Sequence, residues 1–310
     1  MQKNKKILIV IAGPTAIGKT ALAIKVAQHY QTEIISADSR QFFKEMSIGT
    51  AKPSKEELKQ AKHHFIDSHS IQEEVSVGSF EKEAISKIEA LFLEHDVLVM
   101  VGGSGLYINA VLYGFDDIPK ADENLRNQLN QRLESEGIER LQKQLQELDP
   151  IYYNEVDIHN SQRIIRALEV CISTGKPFSS FRKTEPKKRS FESIIIGLNT
   201  DRTKLYDRIN DRVDQMILAG LVEEVTNLKK FKNLNALKTV GYSEIFNHLE
   251  GNILLPEAIE KIKQNTRNFA KRQLTWFRKY PKIDWFEPSD LKNVIKTIDR
   301  LFDEPYQRKN

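Results

Sequence analysis

Over the first hundred residues of this 310-residue chain, short and almost wholly apolar runs alternate with segments whose apolar residues recur every three or four positions. The runs "ILIVIA" (7–12), "EIISA" (33–37, ending at Asp38) and "VLVMV" (97–101) have the length and the β-branched content of strands. The intervening segments read as helices: "TALAIKVAQHY", a stretch near 54–62, "FEKEAISKIEALFLEH", and the sequence that follows "GGSG" in "GGSGLYINAVLYG". Strand and helix in strict alternation predict a parallel sheet with crossover helices. Strands without a polar face predict helices on both sides of that sheet.

From about 120 to 189 the pattern changes to polar, helical sequence without convincing strands: "ENLRNQLNQRLESEG", "IERLQKQLQELD" and "SQRIIRALEVCISTG". Gly137 and Gly175 stand where helices commonly end. An apolar run, "SIIIGLNT" (193–200), then reads as a strand returning to the sheet, which makes the helical block an insertion. Two further helical stretches, about 202–230 and 256–279, are expected to close the chain. The expected divisions are 1–119 for the first part of the core, 120–189 for an all-helical inserted lobe, and 190–310 for the second part of the core with a basic C-terminal helix. No internal repeat is visible.

Composition narrows the class only slightly. With 40% hydrophobic and 29% charged residues the chain has an ordinary globular profile. Its apolar runs fall well short of the roughly 20 residues a membrane helix needs. The start "MQKNKKILIVIAG" imitates a signal peptide, but the apolar part is short and runs into a glycine loop with no cleavage site. It is read as the first strand. One cysteine, Cys171, excludes an internal disulfide and a thiolate metal cluster from a single chain, and a reducing cytoplasm is the expected location. A net charge of +4 decides nothing about nucleic acid. The distribution is more informative: residues 261–282 hold eight Lys or Arg and no acid, and "RKTEPKKR" occupies 182–189. On a helix Lys263, Arg267, Lys271 and Arg278 form one stripe able to meet phosphates, with Trp276 and Phe277 expected in the core.

The chemistry begins at "GPTAIGKT", residues Gly13, Pro14, Thr15, Ala16, Ile17, Gly18, Lys19 and Thr20. G-x-x-x-x-G-K-T between a strand and a helix is a P-loop, so the core is expected to be P-loop NTPase-like. Its backbone amides and the helix N-terminus wrap a diphosphate, Lys19 neutralises it, and the Thr20 hydroxyl can ligate Mg2+. The motif does not say whose diphosphate is held. The acid that usually supports the metal is absent after "VLVMV"; the candidate is Asp38, in "IISADSRQ", at the end of the neighbouring strand. Spacing alone leaves Asp38 as metal supporter or general base and favours the first. The seven histidines, including His63 and His64, lack ligand-like partners.

The motifs "GPTAIGKT", "ISADSRQ", "IGTAKPS", "VGGSGLY", "SQRIIRALEV", "VGYSEI" and "AKRQLTWFRK" follow in the order and at about the spacing of the tRNA dimethylallyltransferases, which this chain resembles from residue 13 to about 279. The resemblance implies that the diphosphate is that of dimethylallyl diphosphate and that the acceptor is the amine of an adenine 3' to the anticodon. It implies Asp38 as the base, Thr15 beside the bridging oxygen, and Arg208 in "LYDRINDR" as a ligand of the departing diphosphate. It further implies tRNA contacts from Asp38, Ser39, Arg40 and Gln41, from Ser104 (a threonine in most of the family), from Arg126, and from Gln162, Arg163, Ile164, Ile165 and Arg166. Gln162 and Arg163 lie one helical turn from Arg166, while Ile165, Leu168 and Ile172 can face the core. The expected partners are dimethylallyl diphosphate and a tRNA anticodon stem-loop, with no membrane and a monomeric enzyme.

These residue types suit alkyl transfer. Adenine's amine is a weak nucleophile, so a carboxylate in hydrogen-bond reach helps as its proton becomes acidic. The allylic carbon tolerates positive charge, so much of the barrier lies in stabilising the leaving diphosphate, which cations and backbone amides supply. Two other readings are weighed: a small-molecule kinase holding ATP in the loop, and an RNA-binding protein without catalysis. Intact Lys19, Thr20 and Asp38 argue against the latter.

Overall fold

The computed structural model describes residues 5–120, 122–182 and 185–303. In chain order its elements are β1 (Ile7–Ala12), α1 (Lys19–His29), β2 (Ile34–Ser36), α2 (Lys55–Gln60), β3 (His63–His64), α3 (Val77–Leu91), β4 (Val97–Gly102), α4 (Gly105–Tyr113), α5 (Glu123–Glu136), α6 (Ile138–Leu148), α7 (Pro150–Glu155), α8 (Ser161–Thr174), β5 (Glu192–Leu198), α9 (Arg202–Leu218), α10 (Leu221–Asn227), α11 (Tyr242–Leu249), α12 (Leu255–Phe277), β6 (Asp284–Phe286) and α13 (Leu291–Asp303). Two compact units result: Met1–Leu112 with Arg189–Asn310, and Tyr113–Lys188.

The first unit is built on one six-stranded sheet in the order β3-β2-β4-β1-β5-β6, with every strand pairing parallel. β1 lies between β4 (Ile7 opposite Val97) and β5 (Ile7 opposite Glu192), and all six of its residues are buried. Successive side chains of a strand point to opposite faces. Ile7, Ile9 and Ile11 therefore pack with α1, α9 and α13, through residues such as Leu22, Ile209 and Ile298. Leu8, Val10 and Ala12 pack on the other face with Phe80 and Ile88 of α3 and Ile108 of α4. Burial of each large side chain contributes about 2–3 kcal/mol. A third cluster joins Val213 of α9, α10, α11 and the first half of α12 to Phe43 and Met46 of the loop after β2.

The α/β architecture with a parallel P-loop core agrees with the apolar pattern, and details differ. β2 stops at Ser36, although Ala37 still donates to Val101 O at 2.7 Å, so Asp38 lies beyond the strand. The stretch 202–230 is two helices, broken at Gly220 (φ 98°), a left-handed position that favours glycine. The chain does not close with helices alone. β6 adds to the sheet beside β5, and α13 buries Val294 and Ile298 beneath it. "DWF" is too short to carry a period, and its flanks are polar. His63 and His64 form β3 at the opposite edge. Phe277 is buried and Trp276 half-buried, as core residues.

The second unit is helical, with a core of Leu129, Leu141, Leu145, Ile164, Ile165, Leu168, Cys171 and Phe178. Gly137 (φ 82°) and Gly175 (φ 66°) end α5 and α8. Ile172, expected to face the core, is 40% exposed: the buried face of α8 centres on Ile164, Leu168 and Cys171, and Ile172 falls beyond its edge. Lys183 and Thr184 of the basic segment 182–189 lie outside the described residues.

Gly102 ends β4 beside the end of its parallel neighbour β2, and a methyl group there would sit 2.4 Å from the Ala37 carbonyl oxygen. Backbone cannot retreat as a flexible side chain does. Gly102→Ala is expected to cost about 1–3 kcal/mol and to lower the apparent melting temperature; a melting curve matching the wild type would contradict this packing.

Candidate functional site

The loop between β1 and α1 carries the strain that phosphate binding needs. Gly13 has φ 153°, Ala16 φ 61° and Gly18 φ 99°. A side chain at Gly13 would meet Leu198 O at 2.8 Å, so glycine lets the loop lie against the end of β5. Gly18 precedes α1 and gives it no side-chain cap, which leaves the first amides of the helix for a ligand. Lys19 opens α1, and its Nζ donates to Pro14 O at 2.7 Å. A buried amide, Gln273 of α12, clamps this loop. Its Oε1 accepts from the Thr15 N–H at 2.8 Å and its Nε2 donates to Gly103 O at 2.9 Å.

Beyond β2 the chain turns through Asp38, whose Oδ1 accepts from the Arg40 N–H at 3.0 Å. Ser104 Oγ accepts from the Ser39 N–H at 3.1 Å and donates to Ser39 Oγ at 3.2 Å, joining this turn to the end of β4. Gln41 Nε2 donates to the carbonyls of Thr50 and Ala51, each at 3.2 Å. The 47–51 loop is held from its other side by Glu224 of α10. One carboxylate accepts from three consecutive backbone N–H groups, Ser47 (2.9 Å), Ile48 (2.8 Å) and Gly49 (3.0 Å), and from the Tyr242 hydroxyl at 2.6 Å.

Two cavities open among these segments. The first, of about 300 Å³, is bordered by Thr15, Ala16, Gly18, Lys19, Thr20, Ser36, Asp38, Gln41, Arg212 and Gln273. The second, of about 210 Å³, is bordered by Asp38, Ser39, Arg40, Ser104 and Arg212, with an apolar wall from Val213, Met216, Val240 and Ile262. Thr15, Asp38, Thr50, Arg212 and Phe269 border both. Burial pushes the Lys19 amine down to about 7, against the pull of Asp38 and with a further push from Arg212. Burial likewise lowers Arg40 and Arg212, and Asp38 opposes both shifts. Two desolvated cations thus face one carboxylate across the first cavity, an arrangement that an anionic ligand completes.

Of the residues expected from sequence, Thr15, Lys19, Thr20, Asp38, Ser39, Arg40, Gln41 and Ser104 come together here. Ile17 contributes backbone alone, since its side chain is in the core. Arg208 is a correction: it is exposed, reaches only Ile17 O at 3.4 Å, and borders neither cavity. Arg212, one turn further along α9, borders both. Both arginines stand in "LYDRINDRV", and only the packing of Ile209 and Val213 distinguishes them. Gln273 was also missed; its place on the face of α12 that buries Ala270 and Phe277 is the signal that a polar side chain there has a partner.

The remaining expected contacts lie in the helical unit. Ile164 and Ile165 are core residues, so their side chains pack rather than bind, which corrects that expectation. Arg126 pairs through Nε and Nη2 with the fully buried Glu169, which also accepts from Arg166 Nη1 at 3.2 Å. Arg166 Nη2 donates to Pro119 O at 2.7 Å. Gln162 and Arg163 are exposed. In the first unit the basic stripe is partly spent on the fold: Lys263 pairs with Asp214 at 2.9 Å and Arg267 donates to Asn210 at 2.7 Å. Lys271 and Arg278 remain exposed. Arg189 of the second basic segment is bound to Glu81 at 2.7 Å.

Among the described residues no three His, Cys, Asp or Glu side chains gather as a metal cluster. The oxygen donors at the first cavity, Thr20, Ser36 and Asp38, suit a hard cation that takes its other ligands from phosphate and water.

A phosphate loop at the end of the central strand, an acid at the end of a nearby strand and a second cavity with an apolar wall define a P-loop protein that brings an oligophosphate to another substrate. The chain belongs to the IPP transferase family, whose model matches residues 41–280. It is 59% identical over 293 residues to the tRNA dimethylallyltransferase of Christiangramia forsetii, covering 94% of this chain and 97% of that one. It is similar to the crystal structure of the tRNA isopentenylpyrophosphate transferase from Bacillus halodurans (36% identity, TM-score 0.70, 97% of each chain). A eukaryotic dimethylallyltransferase acting on tRNA is similar as well, at 26% identity and TM-score 0.80, over 98% of this chain and 82% of that one.

A Lys19 amine titrating near 7 in the free protein and held protonated beside a diphosphate must take up a proton when the anion binds at higher pH. Affinity for inorganic pyrophosphate should therefore fall, through this group, as pH rises above about 7. Calorimetry at pH 8 in buffers of different ionisation enthalpy should show close to one more proton taken up by the wild type than by Lys19→Met, and equal uptake would contradict the assignment. For Glu224, replacement by Gln points an N–H at backbone donors; a loss of about 2 kcal/mol is expected, read as an earlier thermal transition than that of Glu224→Gln's parent.

Proposed function

We propose that this chain transfers the dimethylallyl group of dimethylallyl diphosphate to N6 of the adenine that follows the anticodon in tRNA, releasing diphosphate. The observation that carries the reading is the meeting of the two cavities at Thr15, Asp38 and Arg212. One side offers a phosphate loop, the other an apolar wall and the turn residues Asp38, Ser39 and Arg40. A leaving diphosphate in the first cavity and an adenine entering through the second would meet at that junction.

The roles follow from position. The loop amides, Lys19 and Arg212 bind the diphosphate and take up the charge that grows on it as the bond to carbon breaks. Thr15, which borders both cavities, would lie beside the bridging oxygen. Asp38 receives the proton of the adenine amine as nitrogen bonds to carbon. Thr20 would hold Mg2+ beside the diphosphate, where the ion would supply further charge neutralisation. Ser39, Arg40 and Ser104 would form the rim next to the adenine, with Gln41 following them at the first cavity, and Arg126, Gln162, Arg163 and Arg166 of the helical unit would meet the anticodon stem-loop. No helix among the described residues is long and apolar enough to cross a membrane; the reading places a monomeric enzyme in the cytoplasm beside its tRNA.

The test is transfer of radiolabel from dimethylallyl diphosphate to unmodified tRNA with adenines after the anticodon, in Mg2+ and without ATP. Label in the RNA is expected. No label, together with ATP consumption and a small phosphorylated product, would replace this reading with a kinase. Asp38→Asn should lower kcat by about 10²–10⁴ while filter retention of tRNA is kept. Arg212→Ala should cost about 10²–10³ in kcat, and Arg208→Ala less than about tenfold; the reverse order would return the diphosphate role to Arg208.

A further inference from the structure

Five residues border both cavities, and four of them, Thr15, Asp38, Thr50 and Arg212, are polar. The fifth is Phe269. It lies on α12 one turn before Gln273, the residue that clamps Thr15 to Gly103, so the ring is carried by the same helix that fixes the phosphate loop. The helix buries Ile262, Ala270 and Phe277 in the core but leaves Phe269 39% exposed at the junction. An aromatic ring left open where the two cavities meet forgoes the burial that the other large apolar residues of α12 obtain. The Arg272 guanidinium lies 5.9 Å from the ring centroid, at the outer limit of a cation–π contact.

We propose, resting on the function above, that Phe269 is the surface over which the dimethylallyl group passes from oxygen to nitrogen. In that step the bond between C1 and the bridging oxygen breaks and its electron pair leaves with the diphosphate. The adenine N6 lone pair forms the new bond to C1, and the N6 proton passes to the Asp38 carboxylate. Between bond breaking and bond making the allyl group carries positive charge. The negative face of an aromatic ring attracts that charge without offering it a nucleophile, and the ring's bulk keeps water from the same carbon. The polar members of the junction cannot do this: each presents an oxygen or an N–H.

The experiment uses the full chain with dimethylallyl diphosphate, Mg2+ and unmodified tRNA, and compares Phe269→Leu with Phe269→Tyr. Leucine keeps apolar bulk and removes the π face. The Leu variant is expected to lose about tenfold in kcat, with KM for tRNA and affinity for inorganic pyrophosphate within about twofold of wild type. It should also release more dimethylallyl alcohol per transfer, as water captures the group. Phe269→Tyr restores most of the rate and the coupling. The ratio of alcohol to transfer belongs to the active molecules alone, so it reads the proposal even if part of the Leu variant is unfolded. Wild-type kcat and ratio in Phe269→Leu would overturn the proposal and leave the prenyl transfer standing. A raised KM for tRNA at unchanged kcat and ratio would also overturn it, and would assign the ring to stacking on the base. Failure of the wild type to transfer any label would remove the functional reading and this inference together.

Discussion

β1 is buried on both faces and paired on both edges, and the rest of the core follows from that constraint. A strand with no polar face requires helices on each side of the sheet, and a parallel sheet requires a crossover for every strand added. The chain meets both demands by laying down β1 to β4 and their helices first, then returning with β5 on the other edge of β1 and with β6 beyond it. Because all pairings are parallel, every loop that leaves a strand's carboxyl end opens on one side. Gly13, Asp38 and Gly103 arrive together for that reason, although they are far apart in the chain.

What the sheet brings near, a few buried polar groups then hold in place. Gln273 uses both ends of one amide, on Thr15 and on Gly103, so neither loop moves without losing a buried hydrogen bond. Glu224 does the same for the 47–49 segment by accepting from three successive amides. Their bonds to these loops are to backbone groups. They are why Thr15 and Thr50 stand beside the same junction, since a flexible loop would leave the reacting atoms poorly aligned.

Much of this fold could be read from sequence because apolar periodicity is strongest where burial is complete. β1, β4 and β5 are such strands, and the alternation with helices leads directly to a parallel sheet. β3 and β6 escaped because edge strands of two or three residues carry no period, and α11 because its eight residues fall in a segment known only by its motif. In the site, the phosphate loop and the Asp38–Gln41 turn were legible as contiguous motifs. Arg212 was not, because which of two arginines one turn apart enters a cavity depends on the rotation of α9 about Ile209 and Val213, and that rotation is set by tertiary packing. Ile164 and Ile165 show the opposite case: a motif expected to meet RNA also contains the residues that anchor its helix in the core.

A phosphate loop is indifferent to what is attached to its ligand, so the choice of reaction has to be made elsewhere. A kinase needs its acceptor in line with the terminal phosphorus, with the loop gripping the phosphates that remain behind. Alkyl transfer needs the opposite: the group that moves must point away from the loop, toward surfaces that neither hydrate it nor react with it. Here the side of the junction away from the loop is walled by Val213, Met216, Val240 and Ile262 and opens past Asp38. On the proposed reading such a wall gives an allyl group apolar surface to cross. On that reading the same P-loop serves as the handle for a leaving group, and the apolar wall of the second cavity is the feature that suits it to that use.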